Sequence, residues 1–451
     1  MHRMIRSVAV VMMVGVVGAC QSGSPQGGSH SQSPSPGTKP GPATPRLKAP
    51  DGFDAAKGWA LPSGPRDQMA VAPTAQLVIE STKEANGYVL TAKDAVTGAV
   101  RWSSEPWWPF KSIRDKAPKP QVVTVGGKDY VAVSIAGRPG QDSVHKGQPT
   151  IQTAVYTAEA SGTAVRPART MDLPVKEDEI DRLPEASGTQ LVRYTGGTPN
   201  NPLTPMAMDV VSGKITPYTL NVYDAPDPSV CRSCSLGGHA AGLTAEGPVI
   251  QGHQGPQTTV IWVPSVWYGP DNLPPGAFAG QTAEDLQVIG DLVIAGWPAD
   301  DGTSLSSHPH RVWAVHDAAT GKVKASVGCT TDNPAGSNVR NLFHPVVDPD
   351  HHYLVYGPLA FDLVSGKGTC ALGSSTTKDA GFDSVDLNGT AYGHTTDRDE
   401  SAPVALDIAS GNVTALPSGT RIPTLFLKGA AVYIPSDEEN VPYSLVSYPR
   451  R

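Results

Sequence analysis

Charge is scarce in this chain: Asp, Glu, Lys and Arg make up 17% of its 451 residues, and 42 acids against 35 bases leave a net charge of -7. With no surplus of cations it cannot neutralise a phosphate backbone or coat an anionic membrane, which argues against nucleic acid as a partner. Long apolar runs are scarcer still. The one near the start, Val8 to Val17 broken by Gly15, is too short for a stable spanning helix. There is no Gly-x-Ser-x-Gly elbow, no coherent Ser, His and Asp set and no adjacent cysteine pair, so nothing compels an enzymatic reading. Gly (47) and Pro (43), by contrast, are abundant, as in a chain of many short strands and many turns.

The first residues set the expected compartment. Arg3 and Arg6 precede the apolar run, which ends in Val17-Gly18-Ala19-Cys20. This end resembles the lipobox of bacterial lipoproteins, and the resemblance implies cleavage of a signal peptide (1–19) and a lipid on the thiol of Cys20. Acyl chains contribute about 0.8 kcal/mol per buried CH2, enough together for durable anchoring at the extracytoplasmic face of the cell membrane. The alternative is an ordinary secretory signal in which Cys20 is incidental. Residues 20–50 are mostly Ser, Gly, Pro, Gln and Thr, too polar to offset their ordering entropy, and predict a flexible tether.

Residues 51–451 are organised by one repeat, a short apolar strand, then Asp-x-x-Thr/Ser-Gly, then a second short strand. Its five clear copies turn at Asp94 to Gly98, Asp209 to Gly213, Asp317 to Gly321, Asp362 to Gly366 and Asp407 to Gly411. In such a turn the carboxylate accepts backbone N–H bonds, the hydroxyl adds another, and Gly supplies a positive φ. Asp317, Asp362 and Asp407 follow at intervals of 45 residues (362 − 317 and 407 − 362), the length of one four-stranded propeller blade. The gaps before them are 115 and 108 residues (209 − 94 and 317 − 209), about two blades each. Ala154 to Val165 fills the first with a degenerate copy in which Ala158 stands where the Asp is expected, and the strand Thr259 to Val263 fills the second without a turn motif. At the C-terminus Ala431–Ile434 and Tyr443–Tyr448 lack an outer strand, which Asp54 to Leu61 is expected to supply, closing the ring and hiding its edges. The expectation is an all-β propeller of four-stranded antiparallel blades, eight in number, with seven as the alternative.

The turns resemble the pyrroloquinoline-quinone-type (PQQ-like) propeller repeat, found in quinoprotein dehydrogenases and in non-enzymatic lipoprotein scaffolds. The resemblance implies one of two functions. The first is a membrane-anchored, monomeric binding or scaffold module for a protein, peptide or cell-wall ligand, without cofactor. The second is an oxidoreductase using the quinone with calcium, and the missing vicinal cysteine pair speaks against it. Only Trp102 follows a clear turn, so the tryptophan ring that docks blades in the dehydrogenases is expected to be absent. Packing then falls to inner strands such as Leu77-Val-Ile79, Val131-Ala-Val133, Leu292-Val-Ile294 and Tyr353-Leu-Val355.

Setting Cys20 aside leaves four cysteines, an even number in an oxidising compartment. Cys329 and Cys370 follow the outer strands of successive repeats and are expected to bridge two blades. Cys231-Arg-Ser-Cys234 reads as a short-loop disulfide; with His239 and His253 it could alternatively bind zinc, although the spacing is unusual. His308-Pro-His310, Asp348-Pro-Asp350-His351-His352 and Glu177 to Asp181 read as solvated turns. Trp107, Trp108 and Phe110, with Trp262, Trp267, Tyr268 and Trp297, read either as inter-blade packing or as an apolar rim for a peptide or glycan.

Overall fold

A computed structural model describes residues 46–62, 68–110, 118–195, 204–218, 234–254, 259–278, 286–300, 310–330, 334, 344–373, 376–396, 401–435 and 441–451, without the side chains of 234–239, 253, 254 and 259. The chain divides into Met1–Ala43 and Thr44–Arg451, and every described residue lies in the second part. Cys20 and Cys231 therefore lie outside the described residues, as does His308, and Cys234 is described only as the backbone that opens a strand.

The fold is a β-propeller built from four-strand antiparallel meanders. Meander 1 is Met69–Ala72, Leu77–Glu84, Gly87–Asp94 and Val100–Ser104; meander 2 is Pro120–Val125, Lys128–Gly137, Thr150–Thr157 and Arg169–Pro174. Meander 3 is Glu185–Ser187, Gln190–Thr195, Thr204–Met208 and Ile215–Pro217; meander 4 is Cys234–Thr244, Gly247–Gln254, Thr259–Val263 and Trp267–Tyr268. Meander 5 is Leu286–Ile289, Leu292–Pro298, Arg311–Asp317 and Val323–Cys329; meander 6 is Val346–Val347, Tyr353–Tyr356, Leu359–Asp362 and Lys367–Cys370. Meander 7 is Ala380–Val385, Thr390–Thr395, Pro403–Asp407 and Asn412–Ala415. The closing meander takes Leu425–Phe426, Ala430–Tyr433 and Tyr443–Pro449 from the C-terminus, and Trp59–Pro62 from the N-terminus as its outer strand, with Trp59 opposite Ser447 and Leu61 opposite Leu445.

Eight separate blades, or seven, were expected, and the hydrogen bonding corrects this. Six blades are sheets of their own, and meanders 5 and 6 share one eight-stranded sheet. Their outer strands meet in parallel at Ser326 and Lys367, and the expected Cys329–Cys370 disulfide joins the same two strands. A related contact adds the strand Gly162–Val165 to the outer edge of meander 1.

The core is a series of seams between successive meanders, which explains why the second strands read as unbroken apolar runs rather than alternating ones. Leu77 and Ile79 pack toward meander 2 while Val78 packs toward the closing meander. Val131 and Val133 face meander 1 and Ala132 faces meander 3; Val293 and Ala295 face meander 4, Leu292 and Ile294 meander 6. A charge on either face of such a strand would be buried.

In all five clear turns the glycine N–H donates to the Asp carbonyl at 2.8–3.0 Å, with the glycine at φ of 71–77°. The N–H three residues after each Asp donates to its Oδ1 at 2.9–3.1 Å. Two sequence expectations fail at these turns. Ala158 does not replace the Asp: its N–H donates to Asp129 O just as Ala95 donates to Gln76 O and Ala318 to Asp291 O, so it matches the residue after the Asp. Thr157 holds the Asp position, and the turn is one residue longer. Nor is tryptophan docking absent. The outer-strand indoles of Trp59, Trp102 and Trp267 donate to Ala95 O, Ala158 O and Ala318 O of the next meander, at 3.0, 2.8 and 2.8 Å.

Candidate functional site

In a four-strand meander the first and third turns lie at one end, while the second turn and the crossover to the next meander lie at the other. The Asp-Gly turns therefore all lie on one face of the ring, the turn face, and the crossovers define an opposite connection face. The turns are short and tied to their own carboxylates. On the connection face Pro217 must be joined to Cys234, and Cys329 to Val346. Longer connections carry more varied surface, and binding groups concentrate on such segments.

A cleft of about 410 Å³ opens there between meanders 2 and 3, within the size range of small-ligand sites. One wall carries Lys119 and Gln121, at the start of the inner strand of meander 2, with Ser134 on its second strand. The other wall is the crossover Asp181 to Pro184 with Glu185, and Val192 and Tyr194 rise from the second strand of meander 3. Gln121 Nε2 donates to Pro184 O at 2.6 Å, and its Oε1 accepts the N–H of Ala186, so one carboxamide joins the two inner strands.

Arg193 fixes the crossover. It sits in an apolar strand, only 2% exposed, and its guanidinium donates to Arg182 O and Glu179 O at 2.9 Å, with Glu179 Oε2 at 3.4 Å. A buried cation is tolerated only when so paired, and this one spends its donors on the backbone of the crossover it restrains. Ser134 is likewise occupied, its hydroxyl 2.8 Å from that of Thr153. Burial, reinforced by the charge of Glu185, pushes the Tyr194 phenol up, so at neutral pH it remains a hydroxyl able to donate.

Of the described residues singled out from the sequence, only Asp181 lines this cleft. The repeat aspartates and glycines hold the turn face. Trp262, Trp267, Tyr268 and Trp297 are buried, Trp267 and Trp297 in the seam between meanders 4 and 5. Trp107, Trp108 and Phe110 are half-buried on the connection face. Trp107 exchanges backbone bonds with Tyr88, Trp108 stacks on Tyr88 at 5.2 Å, and Phe110 fills the space where Gly137 lacks a side chain. Asp348, expected in a solvated turn, is 1% exposed, and its carboxylate accepts the N–H groups of Asp350, His352 and Tyr353. Sequence reasoning missed Lys119, Gln121, Glu185, Arg193 and Tyr194. Only Arg193, a lone cation in Leu-Val-Arg-Tyr-Thr, gave a signal.

No family model matches the chain, and no curated protein does. Among solved structures it is similar to an uncharacterized protein of Listeria monocytogenes EGD-e (7% identity, TM-score 0.34, covering 82% of this chain and 86% of that one). It is also similar to the polysaccharide lyase Uly1 (11%, TM-score 0.33, 93% of each chain). A third similarity is to the WD40 β-propeller domain of Doa1 (11%, TM-score 0.29, 88% of this chain and 97% of that one). At these values the likenesses say nothing of ligand or activity.

Proposed function

We propose that the protein is a non-catalytic binding or scaffold module, held at the extracytoplasmic membrane face through Cys20, which takes its ligand in the cleft between meanders 2 and 3. In this reading the chain stands with the non-enzymatic lipoproteins that carry PQQ-like repeats. The observation that carries the binding reading is the cleft itself, whose walls are tied together by Gln121 and whose crossover is held by Arg193. A ligand meeting prearranged walls loses less ordering entropy on binding.

A photoreactive amino acid placed at Leu183, 37% exposed in the crossover wall, tests this in intact cells. The same residue placed at Val364, 74% exposed on the turn face, is the control. The expected result is a discrete adduct from position 183 and none from 364. No adduct at 183, or the same adducts from both, overturns the reading.

A further inference from the structure

Three steps among the described residues set an Asp or Asn directly before glycine, where a backbone amide most readily attacks the preceding side chain. They are Asp51–Gly52, Asn86–Gly87 and Asn388–Gly389, while Asp301–Gly302 lies outside the described residues. In a flexible peptide the two Asn–Gly steps react first, because a carboxylate must take up a proton before it can lose water. The fold reverses that order.

Both Asn–Gly steps are locked. Gly389 is buried, its N–H donates to Asp386 O at 3.1 Å, and a Cβ there would stand 2.7 Å from the Tyr353 ring. Gly87 is buried too, paired with Glu84 at the start of its strand, and a Cβ on it would stand 3.0 Å from the Trp107 backbone. Ring closure needs the glycine nitrogen to swing onto the side-chain carbon, and in a close-packed or hydrogen-bonded turn that motion must first break contacts. At Asp51–Gly52 nothing has to break. Both residues are exposed, and neither the Asp51 carboxylate nor the Gly52 N–H has a hydrogen-bond partner among the described residues. A Cβ on Gly52 would meet no atom within 4 Å.

We infer that Asp51–Gly52 is a site of spontaneous succinimide formation and isoaspartate isomerisation, and that folding spares the two Asn–Gly steps. The Gly52 nitrogen bonds to Cγ of the protonated Asp51 carboxyl, and the amide hydrogen leaves with the carboxyl hydroxyl as water. Water then reopens the ring. Cleavage of the new nitrogen–Cγ bond restores aspartate, and cleavage of the bond to the main-chain carbonyl carbon leaves isoaspartate. The sum is an isomerisation that needs solvent and no oxidant or other reactant.

The position of this step gives the change a consequence. Downstream, Gly52 O accepts the N–H of Arg451 at 2.8 Å, the Asp54 N–H donates to Pro449 O at 2.9 Å, and Phe53 between them is 3% exposed. Upstream, the Leu47 N–H donates to Tyr448 Oη at 2.7 Å, Lys48 Nζ to Ser418 O at 2.7 Å, and Lys48 O accepts the Arg421 N–H at 2.8 Å. Isoaspartate adds one methylene to the main chain between these two sets of bonds. The buried Phe53 side keeps its place, and the more exposed strap at Leu47 and Lys48 lets go.

Peptide mapping of the full chain, aged for weeks at mildly acidic pH, tests the assignment. Isoaspartate is expected at position 51, and none in Asp51→Glu, whose longer side chain would have to close a six-membered ring. Asp51→Asn then puts the same chemistry, loss of ammonia, at all three steps. In the folded chain position 51 is expected to react at least tenfold faster than Asn86 and Asn388, and in urea the three rates should converge. No isoaspartate at position 51 in the parent, or equal rates at the three steps in the folded variant, overturns the assignment. Trypsin is expected to cut after Lys48 at least tenfold faster in the isoaspartyl fraction than in fresh protein, whereas aged Asp51→Glu keeps the fresh rate. An unchanged rate in the isoaspartyl fraction overturns the release of the strap.

Discussion

Two neighbouring seams of the ring solve the same problem with different chemistry. Between meanders 4 and 5, the Trp267 indole donates to Ala318 O, its ring fills the space above Gly321, and it stacks on His316 at 6.3 Å. Between meanders 5 and 6 the joint is of another kind. The outer strands instead touch at Ser326 and Lys367 and are joined by Cys329–Cys370. The first joint is a packing contact finished by one hydrogen bond, and the second is covalent. The difference teaches that the repeat specifies a turn and leaves the means of docking to whichever residue the outer strand offers.

The largest expected effect breaks the first joint. Trp267→Ala removes a buried aromatic and should cost about 3–5 kcal/mol in urea unfolding. The double replacement of Cys329 and Cys370 by alanine breaks the second and should cost up to about 4 kcal/mol by loop entropy. Reductant should lower the stability of the parent and of the Trp267→Ala protein by more than it lowers that of the double variant.

Acid should sharpen the contrast further. Burial pulls His316 down from 6.5 to about 4. Its Nδ1 lies 2.8 Å from Gly321 O, which can only accept, and its Nε2 receives the Trp297 indole N–H at 3.2 Å. The neutral ring fits both partners, and a second proton would oppose the indole. Between pH 6.5 and 4 the unfolded chain binds the proton and the folded one does not. Stability is therefore full above pH 6.5 and falls on acidification, by about 3 kcal/mol at pH 4. Unfolding measured across that range should show this slope in the parent and lose it in His316→Gln.

The smallest effects come from the turn glycines. Gly321 and Gly366 have φ of 72° and 77°, so alanine strains each by about 1 kcal/mol. A Cβ at Gly321 would also stand 2.7 Å from the Trp267 ring, while at Gly366 the nearest atom is Lys324 O at 3.2 Å. Gly321→Ala should therefore cost more than Gly366→Ala in paired unfolding curves, and equal costs would deny Trp267 its docking role.

The same contrast marks what was legible in the sequence. Asp317 to Gly321 could be read because its bonds close within five residues, and the Cys329–Cys370 bridge because both cysteines follow a readable turn. Trp267 docks onto a turn some fifty residues later and follows one without the motif, so nothing local marks it. Thr157 was passed over because it is not an Asp and its turn is one residue longer than the others. The cleft was illegible for a related reason. Lys119, Glu185 and Tyr194 come from separate strands and crossovers, and they converge only once two sheets stand side by side.

The strand Trp59–Pro62 has a consequence for how the molecule is made. Among the described residues its only sheet partner is Tyr443–Pro449, and the Leu47 N–H reaches Tyr448 Oη across 401 positions of chain. The first of the described strands must therefore wait, unpaired, until Tyr443–Pro449 has been made. Nearly every other pairing can form as its hairpin emerges, so assembly ends in one late, long-range clasp, the slow kind of contact that exposes an unfinished edge to aggregation.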